Sequence, residues 1–497
     1  MRTLPKPDEM FDRTSEWSAL SSFGTDERLG ATLGIVSGRR RQGKTFLLRA
    51  LCQATGGFYF AADEATDGES LRQIGVVLAD YLHSPAPLVF GDWHSVLEAL
   101  LALGRERATP VVIDELPYLV RSNPRLPSII QNALAPLSED RDASRTRLLL
   151  CGSAMSFMGR LLSGNAPLRG RAGLELVVPT LDHQLAAEFW GIDDPATALK
   201  VNAIVGGTPA YRREYARDDS PTSPNDFDAW VLRTVLSSAS PLFREARYLL
   251  ADEPELQDTS LYHSVLAAIA AGNANRGGIA SYLGRKSGDL AHPLNVLEDC
   301  GLITKEPDAF KDNRTVFRIN EPLVTFYHAV MRPIWSDLEH THDAARLWQR
   351  SQRRFVGNVL GPHFEHLCRH WTRHLAPGDL LRDHPHRVER GTVNDPAHKT
   401  SHEVDVVVFG LDDDNRQQLL AIGEAKWGET MGMPHVERLR HIRGLLDAQG
   451  RLAAGIAKVI CYSGAGFTGE LRAEAATESD VLLVGIDDLY RRDSRDA

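Results

Sequence analysis

The stretch that most constrains the fold is Gly34–Leu51, GIVSGRRRQGKTFLLRAL. A short apolar strand with Ile35 and Val36 runs into Gly38-Arg39-Arg40-Arg41-Gln42-Gly43-Lys44-Thr45. An apolar helical pattern follows through Phe46, Leu47, Leu48 and Leu51. This is G-x-x-x-x-G-K-[ST] with a strand before it and a helix after it, the setting a phosphate-binding loop requires. The glycines let backbone N–H groups turn toward phosphate oxygens, and the helix N-terminus adds its partial positive charge. On this reading residues 38–46 line a nucleotide, Lys44 reaches its β- and γ-phosphates and the Thr45 hydroxyl ligates Mg²⁺.

Two further strands support the loop. Pro110-Val111-Val112-Ile113-Asp114-Glu115 is an apolar run ending in two acids, as a buried parallel strand delivering carboxylates to its C-terminal edge reads. Asp114 is expected to hold Mg²⁺ through a water and Glu115 to polarise the attacking water. Arg147–Ser153 is another strand; Ser153 at its end either senses the γ-phosphate or caps the helix that starts near Met155. The loop Ser163-Gly164-Asn165-Ala166-Pro167-Leu168-Arg169-Gly170-Arg171 carries two arginines. Either could stabilise transition-state charge, in cis or from a neighbouring subunit, or simply face solvent.

Composition bounds the rest. At 497 residues the chain exceeds one core and suggests about three domains. A net charge of −10 argues against a molecule that binds nucleic acid through its overall charge, so any such contact needs a local basic patch. The five cysteines are scattered and lack C-x-x-C pairs, which fits a reducing cytoplasm better than a disulfide framework or a zinc ribbon. Without a signal-like apolar segment or a spanning run of about eighteen apolar residues, a cytoplasmic protein away from membranes is expected.

In the middle, residues 230–255 read as a connecting helical segment with acids near its end (Glu245, Asp252, Glu253, Glu255). Three short helices follow, around Leu261–Ile269, Ile279–Leu283 and Asp289–Leu297. Two strands, Gly301–Lys305 and Thr315–Ile319, come next, and together they form the winged-helix pattern. His292 and Asn295 are the base-reading candidates and Arg285 and Lys286 the phosphate contacts, a sparse set that favours an intramolecular hinge over a DNA reader. Toward the C-terminus His363, His366, His370 and His374 fall near one helical face; a histidine stripe is favoured over a zinc site there, because no carboxylate or cysteine set completes it. Glu403–Val408 is a strand, Asp412–Asn415 a polar hairpin, and Leu419–Trp427 a second strand ending in Glu424-Ala425-Lys426. Alternation puts Glu424 and Lys426 on one face, with Asp405 on the neighbouring strand. Two carboxylates and an ammonium make costly core filler, and Mg²⁺ between the acids resolves the cost, with Lys426 orienting an attacking water.

GRRRQGKT, VVIDELPYL, CGSAMSFMGRLLSGNAPLRGR and VGGTPAYRREY, in that order, resemble the archaeal-type ATPases of prokaryotes, in the STAND branch close to origin-recognition AAA+ proteins. The resemblance implies ATP and Mg²⁺ as cofactors, Lys44 and Thr45 as Walker A, Asp114 and Glu115 as Walker B, and Ser153 as the first sensor. It also implies Arg171 as the family's Gly-Arg position and Pro209 as the residue approaching adenine. Trp17 departs from the leucine more usual in the lead-in. The C-terminal order Glu365, Asp405, Glu424, Lys426 resembles the PD-(D/E)xK nuclease core, which implies Asp405, Glu424 and Lys426 as a catalytic set and Glu365 as the helical acid.

The expected architecture is α/β, with a P-loop NTPase parallel sheet over 1–180, a helical lid over 181–255, a winged helix over 256–335 and an α/β nuclease-like domain over 345–497. The expected function is an ATP-driven switch controlling a metal-dependent, DNA-acting C-terminal domain. The alternative is an ATP-gated DNA-binding or scaffold protein with an inactive C-terminal site; a plain transcription regulator is disfavoured by the acidic charge. ATP or ADP, DNA and a second copy of the chain are the expected partners.

Overall fold

The computed structural model describes residues 4–492 except 165, 252–258, 341–342, 379, 382, 413 and 451–456. Asn165, Asp252, Glu253, Glu255 and Asp413 therefore lie outside the described residues. The chain divides into two compact units, one of residues 1–180 with 299–301 and the other of residues 181–298 with 302–497.

In the first unit, β1 (Thr32–Ser37), β2 (Phe58–Ala61), β3 (Thr109–Asp114), β4 (Thr146–Gly152) and β5 (Ala172–Val177) form one sheet in the order β2-β3-β4-β1-β5. Every neighbouring pair is parallel. β3 and β4 are buried at every residue, as their unbroken apolar runs demand of strands covered on both faces. One face packs Ile35, Phe60, Ile113 and Leu150 with Trp93 and Leu97; the other packs Val36, Val112, Leu149 and Cys151 against Leu47, Leu48 and Leu51. Trp17 joins this second core, 2% exposed, and its indole donates to the Leu4 carbonyl at 3.0 Å. Phe46 does not share the buried face of its helix: it is 48% exposed, because the apolar stripe there runs through Leu47, Leu48 and Leu51.

The second unit begins with the helices His183–Trp190 and Pro195–Val205 and continues through Pro241–Ala251. Three helices then follow, Thr259–Ala270, Arg276–Leu283 and Ala291–Asp299, and after them an antiparallel hairpin of β6 (Ile303–Asp308) and β7 (Lys311–Ile319). Arg285, Lys286, His292 and Asn295 are all exposed. The remaining strands are β8 (Arg387–Asp395), β9 (Thr400–Leu411), β10 (Gln417–Lys426), β11 (Lys458–Ser463) and β12 (Val481–Gly485). The hairpin does not stand alone: Asp308 of β6 pairs with Arg390 of β8, giving a seven-stranded sheet in the order β12-β11-β10-β9-β8-β6-β7. The Asp308 carboxylate fastens this junction by accepting the N–H groups of Phe310 at 3.0 Å and Thr392 at 3.1 Å. The helices Gly361–His374 and Met433–Ala448 carry the acid and arginine side chains that meet this sheet.

Candidate functional site

β1 ends at Ser37 and the chain turns through residues 38–43 into the helix Lys44–Thr55. Gly38 has φ +146° and a Cβ there would stand 2.6 Å from the Val178 carbonyl oxygen; Gly43, the residue before the helix, has φ +89°. Both positions thus require glycine. The Lys44 ammonium lies folded into this turn, donating to the carbonyls of Gly38 at 2.7 Å and Arg39 at 2.8 Å. Burial lowers its pKa. Gln42 is buried, Arg41 adopts φ +68°, and Arg40 donates to the Tyr118 hydroxyl at 3.3 Å.

β3 delivers its acids beside the loop. The Thr45 hydroxyl donates to Asp114 Oδ2 at 2.9 Å, and the Tyr59 hydroxyl donates to the same oxygen at 2.6 Å. Asp114 Oδ1 accepts the Glu115 N–H at 2.9 Å. Glu115 takes a left-handed backbone, φ +55°, at the strand end, and the Ser153 hydroxyl donates to its carboxylate at 3.1 Å. The helix Met155–Leu162 has Ala154 at its N-cap with no side-chain capping bond, so Ser153 does not cap it; Ser153 holds Glu115. Thr45 and Asp114 offer hard oxygen donors side by side, a set that fits Mg²⁺.

Arg171 is placed elsewhere. It immediately precedes β5, where Ala172 is level with Leu33 and Val177 with Ser37. At about 3.3 Å per residue the β5 start is roughly 16 Å from the loop end of β1, which places Arg171 away from this chain's own loop and leaves the neighbouring-subunit and solvent-facing readings. Pro209 lies in the second unit, past the helix Pro195–Val205.

The sequence reading missed Arg13. Its guanidinium, buried, pairs with Glu16 at 3.1 Å and donates to the carbonyls of Gln42 at 3.3 Å and Pro179 at 2.8 Å, tying the lead-in to the phosphate loop. Tyr59 was missed too; an aromatic in a short strand carries no signal of the aspartate opposite it.

In the second unit, the antiparallel register brings β9 and β10 together, with Gly423 opposite Val406 and so Glu424 beside Asp405. Lys426 Nζ is 3.1 Å from Glu424 Oε1 and 3.9 Å from Asp405 Oδ2. The expected acid–lysine set is therefore gathered on one face. Burial pushes the Asp405 carboxyl above its ordinary range, although it accepts the Ala425 N–H at 3.0 Å. Burial pulls the Lys426 ammonium down, but the Asp405 and Glu424 charges outweigh it and its pKa is raised. Glu365, on the helix Gly361–His374, is pushed up to about 7 by burial and then by the Asp405 charge. These acids are oxygen donors of the kind a hard cation takes, although their ligand atoms do not all lie within 4.8 Å of one another. Two arginines that the sequence did not signal complete the group. Arg438 pairs with Glu424 Oε2 at 2.8 Å, and Arg369 donates to the Asp405 carbonyl at 3.0 Å while pairing with Glu306 at 3.4 Å. Glu424 thus has both carboxylate oxygens in ion pairs.

His363 bonds Asn202 at 2.8 Å and His370 stacks edge-on against His183, and among the described residues these histidines form no metal-type group.

Loop, strand-end acids and parallel sheet define a P-loop nucleoside-triphosphatase fold in the first unit, joined to a second α/β sheet unit. No protein-family model matches the chain. It is 25% identical over 309 residues to the uncharacterized protein MJECL04 of Methanocaldococcus jannaschii, a match covering 61% of this chain and 65% of that protein. Among solved structures it is similar to the Walker-type ATPase PABY2304 of Pyrococcus abyssi, with 21% identity, 66% of this chain and 98% of that one covered, and a TM-score of 0.49. It is also similar to the ORC2 protein of Aeropyrum pernix, with 14% identity, 67% and 95% covered, and a TM-score of 0.43. Both TM-scores lie below 0.5. Among the described residues no helix is long and apolar enough to cross a membrane.

Proposed function

We propose that this protein is an ATP-hydrolysing switch, binding ATP with Mg²⁺ at the Lys44 loop and governing a DNA-acting second unit. The observation that carries the reading is the convergence of Thr45, Asp114, Glu115 and Ser153 beside the loop that holds Lys44. Thr45 and Asp114 would hold Mg²⁺, which supplies charge neutralisation for the phosphates when bound. The loop N–H groups and the Lys44 ammonium cradle the β- and γ-phosphates. Glu115, held by Ser153, accepts a proton from water as the water oxygen bonds to the γ-phosphorus and the bond to the bridging oxygen breaks. Arg171 is assigned to the site of a second copy of the chain.

For the second unit we propose a PD-(D/E)xK-type site in which Asp405, Glu424 and Glu365 hold a divalent cation and Lys426 orients the attacking water at a DNA phosphodiester. Arg285 and Lys286, exposed ahead of the third helix of a winged-helix segment, would meet backbone phosphates. A second reading is favoured by one observation: both oxygens of Glu424 are already neutralised, by Lys426 and Arg438. On that reading the site is structural and the protein is an ATP-gated DNA-binding scaffold.

One experiment separates these. ATP binding, ATP hydrolysis and DNA cleavage are measured with Mg²⁺ for the wild type, Lys44→Ala, Lys426→Ala and Asp405→Ala. Lys44→Ala is expected to lose ATP turnover by about a hundredfold or more; unchanged binding and turnover would overturn the ATPase assignment. Cleavage lost in both C-terminal variants with ATP hydrolysis spared supports the nuclease. Cleavage that survives both removes it, and no cleavage with ATP-dependent DNA retention leaves the scaffold.

A further inference from the structure

A different set of side chains meets at the far end of the β8–β9 hairpin. β8 ends at Asp395, the turn carries His398, and β9 returns with Thr400 opposite Asp395 and His402 opposite Val393. Directly opposed residues share a face, and so do residues two apart, so His402 and Asp395 lie on the same side of the hairpin. The helix Met433–Ala448 covers that side, packing Val436, Leu439 and Ile442 in one core with Val393, and from it His441 reaches the same carboxylate.

Asp395 Oδ2 is 2.8 Å from His398 Nδ1, 3.1 Å from His441 Nε2 and 3.4 Å from His402 Nε2. The carboxylate is held for this purpose: it is 1% exposed, and its other oxygen accepts the His398 N–H at 3.2 Å. The imidazoles crowd one another, with ring centroids 6.1 Å apart for His398 and His441 and 5.4 Å for His402 and His441.

As a purely hydrogen-bonded cluster this is oversubscribed. A carboxylate oxygen has two lone pairs, yet three ring nitrogens approach Oδ2. Neutral rings can each donate one N–H, so three donors would crowd a single oxygen beyond its two lone pairs. A metal ion inverts the arrangement, since neutral His398 and His441 then each offer a lone pair beside that of the carboxylate. Ligands bound at 2.0–2.1 Å in a tetrahedron stand about 3.3 Å from each other, close to the three separations observed here.

We propose that Asp395, His398 and His441, whose ligand atoms all lie within 4.8 Å of one another, hold one transition-metal ion of the zinc class, with His402 beside them at 3.4 Å from the same carboxylate oxygen. Nitrogen donors in the majority select zinc, cobalt or copper over magnesium or calcium. With ligands from both elements the ion acts as a staple between the β8–β9 hairpin and the helix Met433–Ala448. His398, with its side chain 71% exposed, is the route by which the ion enters.

The test uses the untagged full chain, stripped with a chelator and titrated with Co²⁺, whose visible d–d bands report tetrahedral nitrogen ligation. One Co²⁺ per chain is expected to give these bands, Zn²⁺ to displace it, and chelation to lower the Tm of the wild type. His398→Ala and the double variant His398→Ala/His441→Ala are expected to lose the bands and the chelator-sensitive part of Tm, while Asp405→Asn keeps both. His398 is exposed, so its substitution tests the site even where the double variant folds poorly. Bands that vanish in Asp405→Asn but persist in His398→Ala would overturn the proposal. So would a wild type with neither bands nor a chelator-dependent Tm, which would leave a hydrogen-bonded cluster.

Discussion

Lys44 and Lys426 each sit among acids at a strand or helix end, yet their charges are spent differently. The Lys44 ammonium donates to two neutral carbonyls of its own loop, while the nearby Asp114 is occupied with Thr45 and Tyr59. The Lys426 ammonium is bonded to Glu424 and close to Asp405. The first lysine keeps a charge that an incoming anion can use at once. The second must be freed from its carboxylates first. Pre-organisation for a phosphate chain is therefore present in the first unit, whereas the second is arranged for its own neutrality.

Three measurements would break or sharpen that contrast. The largest effect is expected from Glu115→Gln, which keeps the Ser153 contact but removes the base: ATP turnover falls by about 10²- to 10⁴-fold with ATP affinity retained. A variant that turns over normally would show that the first site is not organised for hydrolysis. Next, Arg13→Ala leaves Glu16 buried without its partner and frees the Gln42 carbonyl. Chemical denaturation should show a loss of about 3–5 kcal/mol, with weaker ATP binding, and an unchanged stability would break the view that the loop is held from the lead-in. The smallest effect concerns the second site and pH. Glu365 titrates at about 7 in the folded chain, against 4.5 for the ordinary carboxyl. Between those values the folded chain holds a proton that the unfolded chain has lost. This contribution is therefore complete below 4.5 and is lost as pH rises through about 7. The Tm of wild type minus that of Glu365→Gln should fall across that interval, and a flat difference would mean that burial and the Asp405 charge do not raise this carboxyl.

What the sequence made legible follows how far apart the interacting residues stand. The phosphate loop is contiguous, and Asp114, Glu115 and Ser153 close adjoining strands, so their convergence could be read before any coordinates. Asp405, Glu424 and Lys426 were legible because one hairpin and the two-residue alternation suffice to join them. Arg13 was not, since its carbonyl partners at Gln42 and Pro179 are reached only through the folded sheet. Arg171 was misplaced in its cis role because motif order along the chain says nothing of which end of β5 it occupies. Metal ligation was sought along the helix Gly361–His374, where histidine spacing is regular. The metal-type group among the described residues instead joins Asp395, His398 and His441, and no periodicity links a hairpin turn to a helix more than forty positions on. The two strands after the three helices were expected as a separate wing, and only the long-range pairing of Asp308 with Arg390 makes them part of the larger sheet.

That pairing also decides where the sheet stops. With β6 joined to β8, β7 becomes the outermost strand; the Phe317 N–H in its second half donates to the Ala274 carbonyl at 2.7 Å, which leaves the first half as the open rim. Such a rim templates aggregation unless it is guarded. β7 reads Lys311-Asp312-Asn313-Arg314 in its first half, with Asp312 and Asn313 exposed, so charge and solvation sit where an eighth strand would have to add. The residues that give this hairpin its polar character thereby also act as a terminator, keeping the second unit's sheet at seven strands in a crowded solution.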